Sequence, residues 1–364
     1  MSGRLIKTAA GVALLFCAFT AGAVEERGKG EVIEEAKAKL AGGSTSEKLE
    51  AAATLEGQDM RDISTFGVVE FLAKTIKSES NPRVLQPVAR ALGNIGRKAE
   101  GSMKSDISKI LFNDVMRSGD VHALVRAEAI VALQELADFK GYEGGEIKKL
   151  ALRLATDANT PGILKNACFS LLAAIGDTTI ASELEKQILS EDDKIRIPAI
   201  RNLRVLVISK GYKIPPTTVT RVVKEVENER AKEKLRIDLL QLLATAIRMG
   251  TRVTGMSELI EKLIKRGASD GVRLVAVECV GNTQDADLMR ILVQVYEDNK
   301  GKTENVAGAL RRAACTSAGE YFGPFGDKGD FSKYKTDLTR LADMCISALM
   351  NDPDGAVCRE AAIA

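Results

Sequence analysis

The sequence predicts an all-α fold, a right-handed α-solenoid (superhelix) of about eight helix pairs. Three observations predict it. Aromatics are only 4% of the 364 residues, Trp is absent and Pro numbers 8, a balance that favours helices over a sandwich or barrel. One apolar register recurs along most of the chain. Its recurrence distance clusters near 38 residues, the mark of stacked helical repeats.

The first 23 residues stand apart from the array. Arg4 and Lys7 give a basic start, Thr8 to Ala21 is uncharged, and Ala21-Gly22-Ala23 supplies small residues before the charges begin at Glu25. These are the three parts of a secretory signal. The apolar run is shorter than the roughly 20 residues that span a bilayer. Cleavage is expected after Ala23, leaving a periplasmic or secreted bacterial protein with no membrane span. Loss of Arg4 and Lys7 takes Lys+Arg from 52 to 50, equal to the 50 Asp+Glu. A neutral chain has no net field for nucleic acid or anionic lipid. Residues 24–43 read as a polar N-terminal segment.

From residue 44 to 364 the chain reads as repeats. In the template around Val125, apolar residues fall at Val125, Ala129, Ala132, Leu133 and Leu136, one face of a helix. The register returns at Val84-Val88-Ala91-Leu92-Ile95, Leu164-Cys168-Leu171-Leu172, Ile195-Ala199-Leu203, Leu235-Leu239-Leu242-Leu243, Val272-Ala276-Cys279-Val280 and Leu310-Ala314-Ala318. A last copy opens at Val357 and the sequence stops mid-repeat at Ala364. The apolar end predicts either a longer chain or a covering partner. Taking Leu55, Leu92, Leu133, Leu172, Leu203, Leu243, Val280 and Ala318 as anchors, the spacings run from 31 to 41 residues. Between these anchor helices lie second helical patterns, such as Phe66-Val69-Leu72-Ile76 and Leu288-Ile291-Leu292-Val295. Each unit is read as anchor helix, short turn, second helix. Neither helix buries its stripe alone, so stacked pairs share a core.

The stretch Asn81-Pro82-Arg83-Val84…Ala91-Leu92-Gly93-Asn94-Ile95-Gly96 resembles a HEAT repeat, in particular the short bacterial, phycobilisome-lyase-like type. Asp270-Gly271-Val272-Arg273 and Asp352-Pro353-Asp354-Gly355-Ala356-Val357 are similar. A basic residue follows the first anchor position at Arg126, Lys165, Arg196, Arg236, Arg273 and Arg311. The resemblance implies that this row bridges to acidic groups or to helix-end carbonyls, which suits the helix dipole. An anion-binding stripe is the alternative. The family hosts unrelated roles, so the resemblance speaks to fold rather than function.

The residue inventory is poor in catalytic chemistry. His122 is the single histidine, beside Asp120 at a helix start. A three-His or His₂Glu zinc site and a His-paired nucleophile are excluded on count. No Walker, nucleophile-elbow or HExxH pattern occurs. No catalytic, cofactor-binding or metal residue is therefore expected. Of the HEAT-like enzymes, the di-iron hydroxylase needs several histidines, a bilin lyase conflicts with the export signal, and a DNA glycosylase wants a basic, Trp-bearing groove. Cys168, Cys279, Cys315, Cys345 and Cys358 remain after cleavage, each beside an apolar residue, and read as buried thiols. Cys279 and Cys315 are the candidate disulfide pair.

The expected function is a non-catalytic protein–protein interaction scaffold. Membership of a larger envelope or electron-transfer assembly is the alternative, and a lyase the third reading. The candidate partner site is compositional. Tyr321 to Tyr334 holds five of the 15 aromatics, with three Gly. Two other turns carry Lys-Gly-Tyr, at Tyr142 and Tyr212. Tyr321, Phe322, Phe325 and Phe331, with Tyr142 and Tyr212, are thus the expected anchors for a protein partner along one edge. The competing reading has each ring sealing its own inter-helix gap. The fallback site is the concave face of the second helices. Asp327 and Asp330 supply too few ligands for calcium.

Overall fold

The computed structural model describes residues 28–136, 142–265, 268–283, 285–322 and 334–364. These residues hold helices and no strand. They divide into two compact units that meet at Ile175/Gly176.

In the first unit the helices are α1 (28–42), α2 (Thr45–Glu56), α3 (Met60–Thr65), α4 (Val68–Ser78), α5 (Pro82–Lys98), α6 (Gly101–Lys109), α7 (Ala123–Leu136), α8 (Tyr142–Thr156) and α9 (Gly162–Ala174). The polar N-terminal segment thus contains a helix, whose Ile33, Ala36 and Leu40 are buried. Local chemistry sets the starts. Ser44 and Glu47 form a reciprocal capping box at α2, with Ser44 N–H donating to Glu47 Oε2 at 2.7 Å. Asn81 caps α5, accepting from Arg83 N–H at 3.0 Å, and Pro82 occupies the first turn where no N–H is needed. α6 runs directly into a π-helical stretch, Ile110–Met116.

The second unit comprises α10 (Ala181–Gln187), α11 (Asp193–Lys210), α12 (Pro216–Glu227), α13 (Glu233–Arg248), α14 (Met256–Lys265), α15 (Asp270–Thr283), α16 (Met289–Asn299), α17 (Asn305–Phe322), α18 (Lys335–Asn351) and α19 (Gly355–Ile363). Asp192 and Asp354 cap α11 and α19, accepting from Lys194 and Ala356 N–H at 2.9 Å each.

Within each unit, anchor helices lie side by side in chain order: α2, α5, α7 and α9 in the first, and α11, α13, α15, α17 and α19 in the second. Every anchor residue, from Leu55 to Ala318, is buried. The pairing has a different phase from the sequence reading. Each second helix packs along the anchor helix that follows it, giving the eight pairs α4–α5, α6–α7, α8–α9, α10–α11, α12–α13, α14–α15, α16–α17 and α18–α19.

The basic row explains this phase. Arg126 Nε donates to Met116 O at 3.0 Å, Arg196 Nε to Ile188 O at 3.2 Å, and Arg236 Nε to Val226 O at 2.8 Å. Arg311 Nη1 donates to Asn299 O at 2.8 Å, and Lys165 Nζ to Ala158 O at 3.3 Å. Each arginine covers carbonyls at the end of its own second helix, where the helix leaves acceptors unpaired and the dipole is negative, and Lys165 reaches one just beyond α8. Arg273 departs from the row, its Nε buried without a hydrogen-bond partner.

The Ala-Leu-Gly element sets the helix spacing. A Cβ at Gly93 would lie 2.5 Å from Ala132 Cβ and 3.2 Å from its Cα, so α5 and α7 meet at backbone distance there. Gly93→Ala is therefore expected to destabilise. Alanine gains about 1 kcal/mol of helix propensity over glycine. Overpacking costs about 1–3 kcal/mol, and the clash wins by roughly 1 kcal/mol. Urea unfolding checks it: the midpoint should fall at unchanged slope. A midpoint that holds or rises would show that α5 and α7 part without cost.

All five cysteines in the described residues are free thiols. The candidate pair Cys279–Cys315 is not bonded. Cys279 faces Leu240 O at 4.0 Å, whereas the Cys315 thiol shares its hydrogen bond with Cys345 on α18.

Candidate functional site

The aromatic residues singled out in the sequence do not act as one group. Tyr321 closes α17 with its ring only 2% exposed. Its hydroxyl donates to Asp285 O at 2.8 Å, tying α17 to the start of the α15–α16 connection. Burial pushes the phenol well above its usual range. Tyr321 therefore seals an inter-helix gap and offers a partner no surface. Tyr212 folds back in the same way: its hydroxyl donates to Glu185 Oε1 at 2.5 Å, and Thr218 Oγ1 donates to the other carboxylate oxygen at 3.0 Å. Desolvation, followed by that hydrogen bond, pushes the Tyr212 phenol up to about 12. Phe322 is 41% exposed. Phe325 and Phe331 lie outside the described residues, as does the side chain of Tyr142, which begins α8.

The structure offers another surface that composition did not reveal. On the second unit, a hollow of about 430 Å³ opens over three consecutive anchor helices, α11, α13 and α15. It is not on the second helices, where the fallback site was expected. Ile208, Ala244, Met249 and Val275 line it, and Ile208 is 56% exposed. Arg204, Arg248 and Glu278 supply its charge. Arg204 Nη1 donates to Gln241 Oε1 at 2.7 Å, and Arg248 lies 3.5 Å from Glu320 of α17. The apolar patch is thus framed by polar groups, of which Arg204 and Arg248 are already paired, which suits an amphipathic ligand.

Polar ladders of this kind join anchor helices elsewhere at the repeat distance. Arg90 Nε meets Glu128 at 2.7 Å, and Asn94 Nδ2 meets Glu56 at 2.7 Å. The signal was available as complementary residues one repeat apart.

Glu278 stands at the rim without such compensation. Desolvation pushes its carboxyl above the usual range. The folded state therefore holds this proton more tightly than the unfolded chain. Between the unfolded and folded values, stability falls as pH rises. Glu278→Gln is expected to raise the melting temperature at about pH 7 and to leave it unchanged near pH 4. Thermal melts at both values check this; an equal difference at each would refute the desolvation account.

Among the described residues no group of three or more His, Cys, Asp or Glu side chains is placed to hold a metal ion. No helix there is long and apolar enough to cross a membrane.

Comparison with known proteins supports the fold. No protein-family model and no curated protein matches the sequence. The crystal structure of YibA from E. coli is similar, with a TM-score of 0.52 at 16% identity over 80% of this chain and 96% of that one. The crystal structure of Kap121p has a TM-score of 0.52 at 12% identity over 92% of this chain. The match spans 40% of Kap121p. The present chain shares with them an all-α solenoid fold.

Proposed function

We propose that this chain is a non-catalytic protein-interaction scaffold, exported across the cytoplasmic membrane and working in the periplasm or beyond. The observation that carries the binding role is the apolar hollow on α11, α13 and α15, with Ile208 open to solvent inside a polar frame. Stacked repeats lend themselves to this, because neighbouring helices present one extended surface. The N-terminal signal pattern carries the export, and mature protein should begin at Val24. Intact mass of protein made with its own leader tests that, and a retained Met1 in the cytosolic fraction overturns it.

A photo-crosslinking residue at position 208 tests the binding surface in envelope extracts. A discrete adduct is expected, and Met249→Glu, at another lining residue of the same hollow, should abolish it. Unchanged capture would move the site to the 321–334 segment, where Phe325→Ala with Phe331→Ala is the corresponding test.

A second reading, a subunit of a larger envelope or electron-transfer assembly, is favoured by one observation. Ile346, Leu349, Met350 and Ile363 form an exposed apolar set on the pair α18–α19. Native mass spectrometry of the protein from its own envelope distinguishes the two: a stoichiometric complex at all dilutions supports the assembly, and a monomer supports the scaffold.

A further inference from the structure

A second feature lies in the first unit, between the π-helical end of α6 and helix α8. In a π-helix each N–H reaches five residues back, and Arg117 N–H donates to Phe112 O at 2.9 Å in this way. Such widened turns often accompany functional sites. Here the turn buries Phe112 and leaves the Arg117 guanidinium over its ring, 5.9 Å from the centroid. Facing it on α8, Glu146, Lys149 and Arg153 stand one helical turn apart. Together with Leu150 they line a hollow of about 220 Å³.

The charges in this hollow do not balance. Lys149 pairs with Glu146 at 3.3 Å. Neither Arg117 nor Arg153 has an acidic group within 4.0 Å among the described residues. Some other cations of this unit are matched, as with Lys77 and Asp114 at 3.1 Å and Arg90 and Glu128 at 2.7 Å. Arg126, half-buried and with its Nε held by Met116 O, is near enough to Arg153 to feel its charge. Its guanidinium is made less basic first by desolvation and also by the charge of Arg153. Among the described lining residues, three cations against one carboxylate leave two positive charges. Two unpaired guanidinium forks beside an apolar floor match a dianionic oxyanion, because each fork can make two parallel hydrogen bonds. A single carboxylate would neutralise half of the excess, and a neutral ligand none of it.

We propose that this hollow binds a phosphoryl group, with Arg117 and Arg153 as its direct ligands and Lys149 as the third positive group. Glu146 opposes the anion and sets how tightly it is held. The group arrives either as free phosphate or on a phosphorylated side chain of a protein partner. The site stands independently of the scaffold reading.

Calorimetric titration of the purified chain at low ionic strength tests it, with inorganic phosphate and with a phosphoserine peptide as probes. Wild type should bind at least one probe saturably. Arg117→Ala with Arg153→Ala should weaken it at least tenfold, Glu146→Gln should tighten it, and Arg83→Ala, an exposed arginine on α5, should leave it unchanged. Both site arginines are exposed, so the double variant should keep its helicity and melting temperature. Phosphate bound as tightly as the peptide identifies the free anion as the source. Peptide bound tenfold or more tightly, and lost on dephosphorylation, identifies a phosphorylated partner. Absence of saturable binding to either probe overturns the proposal, as does a double arginine variant that binds like wild type.

Discussion

Asp352→Ala is expected to cost about 3–5 kcal/mol of stability, because it strands a buried guanidinium. The Arg311 and Asp352 side chains are 2% and 1% exposed and face each other in a two-pronged pair, Nε–Oδ2 at 2.8 Å and Nη2–Oδ1 at 3.1 Å. The remaining nitrogen, Nη1, donates to Asn299 O at 2.8 Å and Lys302 O at 2.9 Å. Tyr296 hydroxyl and Asp354 N–H complete the carboxylate at 3.3 and 3.0 Å. Every charged atom is therefore satisfied, and removing one partner leaves the other desolvated and alone. Replacing both by apolar residues of similar volume, Arg311→Met with Asp352→Leu, should recover much of the loss, since two desolvation penalties vanish with the pair. Urea midpoints of the single and double variants check this. A single variant within about 1 kcal/mol of wild type would mean water reaches the site.

Tyr321→Ala is the second large effect, at about 3–5 kcal/mol for an emptied aromatic site. Tyr321→Phe keeps the ring but leaves Asp285 O without its donor, which costs about 1–3 kcal/mol. These numbers separate two roles inside one aromatic cluster. A partner anchor loses binding and keeps stability when truncated. A seal does the reverse. Phe325→Ala with Phe331→Ala is expected to follow the first pattern and Tyr321→Ala the second, in paired melting and capture measurements. A Tyr321→Ala protein with wild-type melting would contradict its burial.

The anchor positions were legible because a 3.6-residue period and a 38-residue repeat are properties of the chain alone. Leu92, Leu133 and Leu172 are buried where the register put them. The phase of pairing was not legible. Both helices of a unit carry similar apolar stripes, and only three-dimensional packing shows that α12 belongs with α13. Arg236 held the clue, since a cation early in one helix suits the carbonyl end of the helix before it. The aromatic segment misled for a related reason. Composition marks where rings concentrate but not which way each one turns, so Tyr321 and Phe322 read alike although one is buried and the other open. The Cys315–Cys345 contact joins residues 30 apart, and the hollow over α11, α13 and α15 gathers residues from three successive repeats. Neither leaves a local trace.

The basic row also bears on how fast the chain can fold. Arg126, Arg196, Arg236 and Arg311 reach back only 10, 8, 10 and 12 residues to their carbonyls. The loop each bond closes is short, and the entropy lost in closing it is correspondingly small. A helix pair can therefore latch before its neighbours exist, and contacts one repeat away then add to a surface already in place. Topologies built from such near-sequence contacts reach their transition states early and quickly. A polypeptide emerging from a ribosome, or threaded through a membrane pore, gains from that order of events, since each pair can close as its own residues arrive.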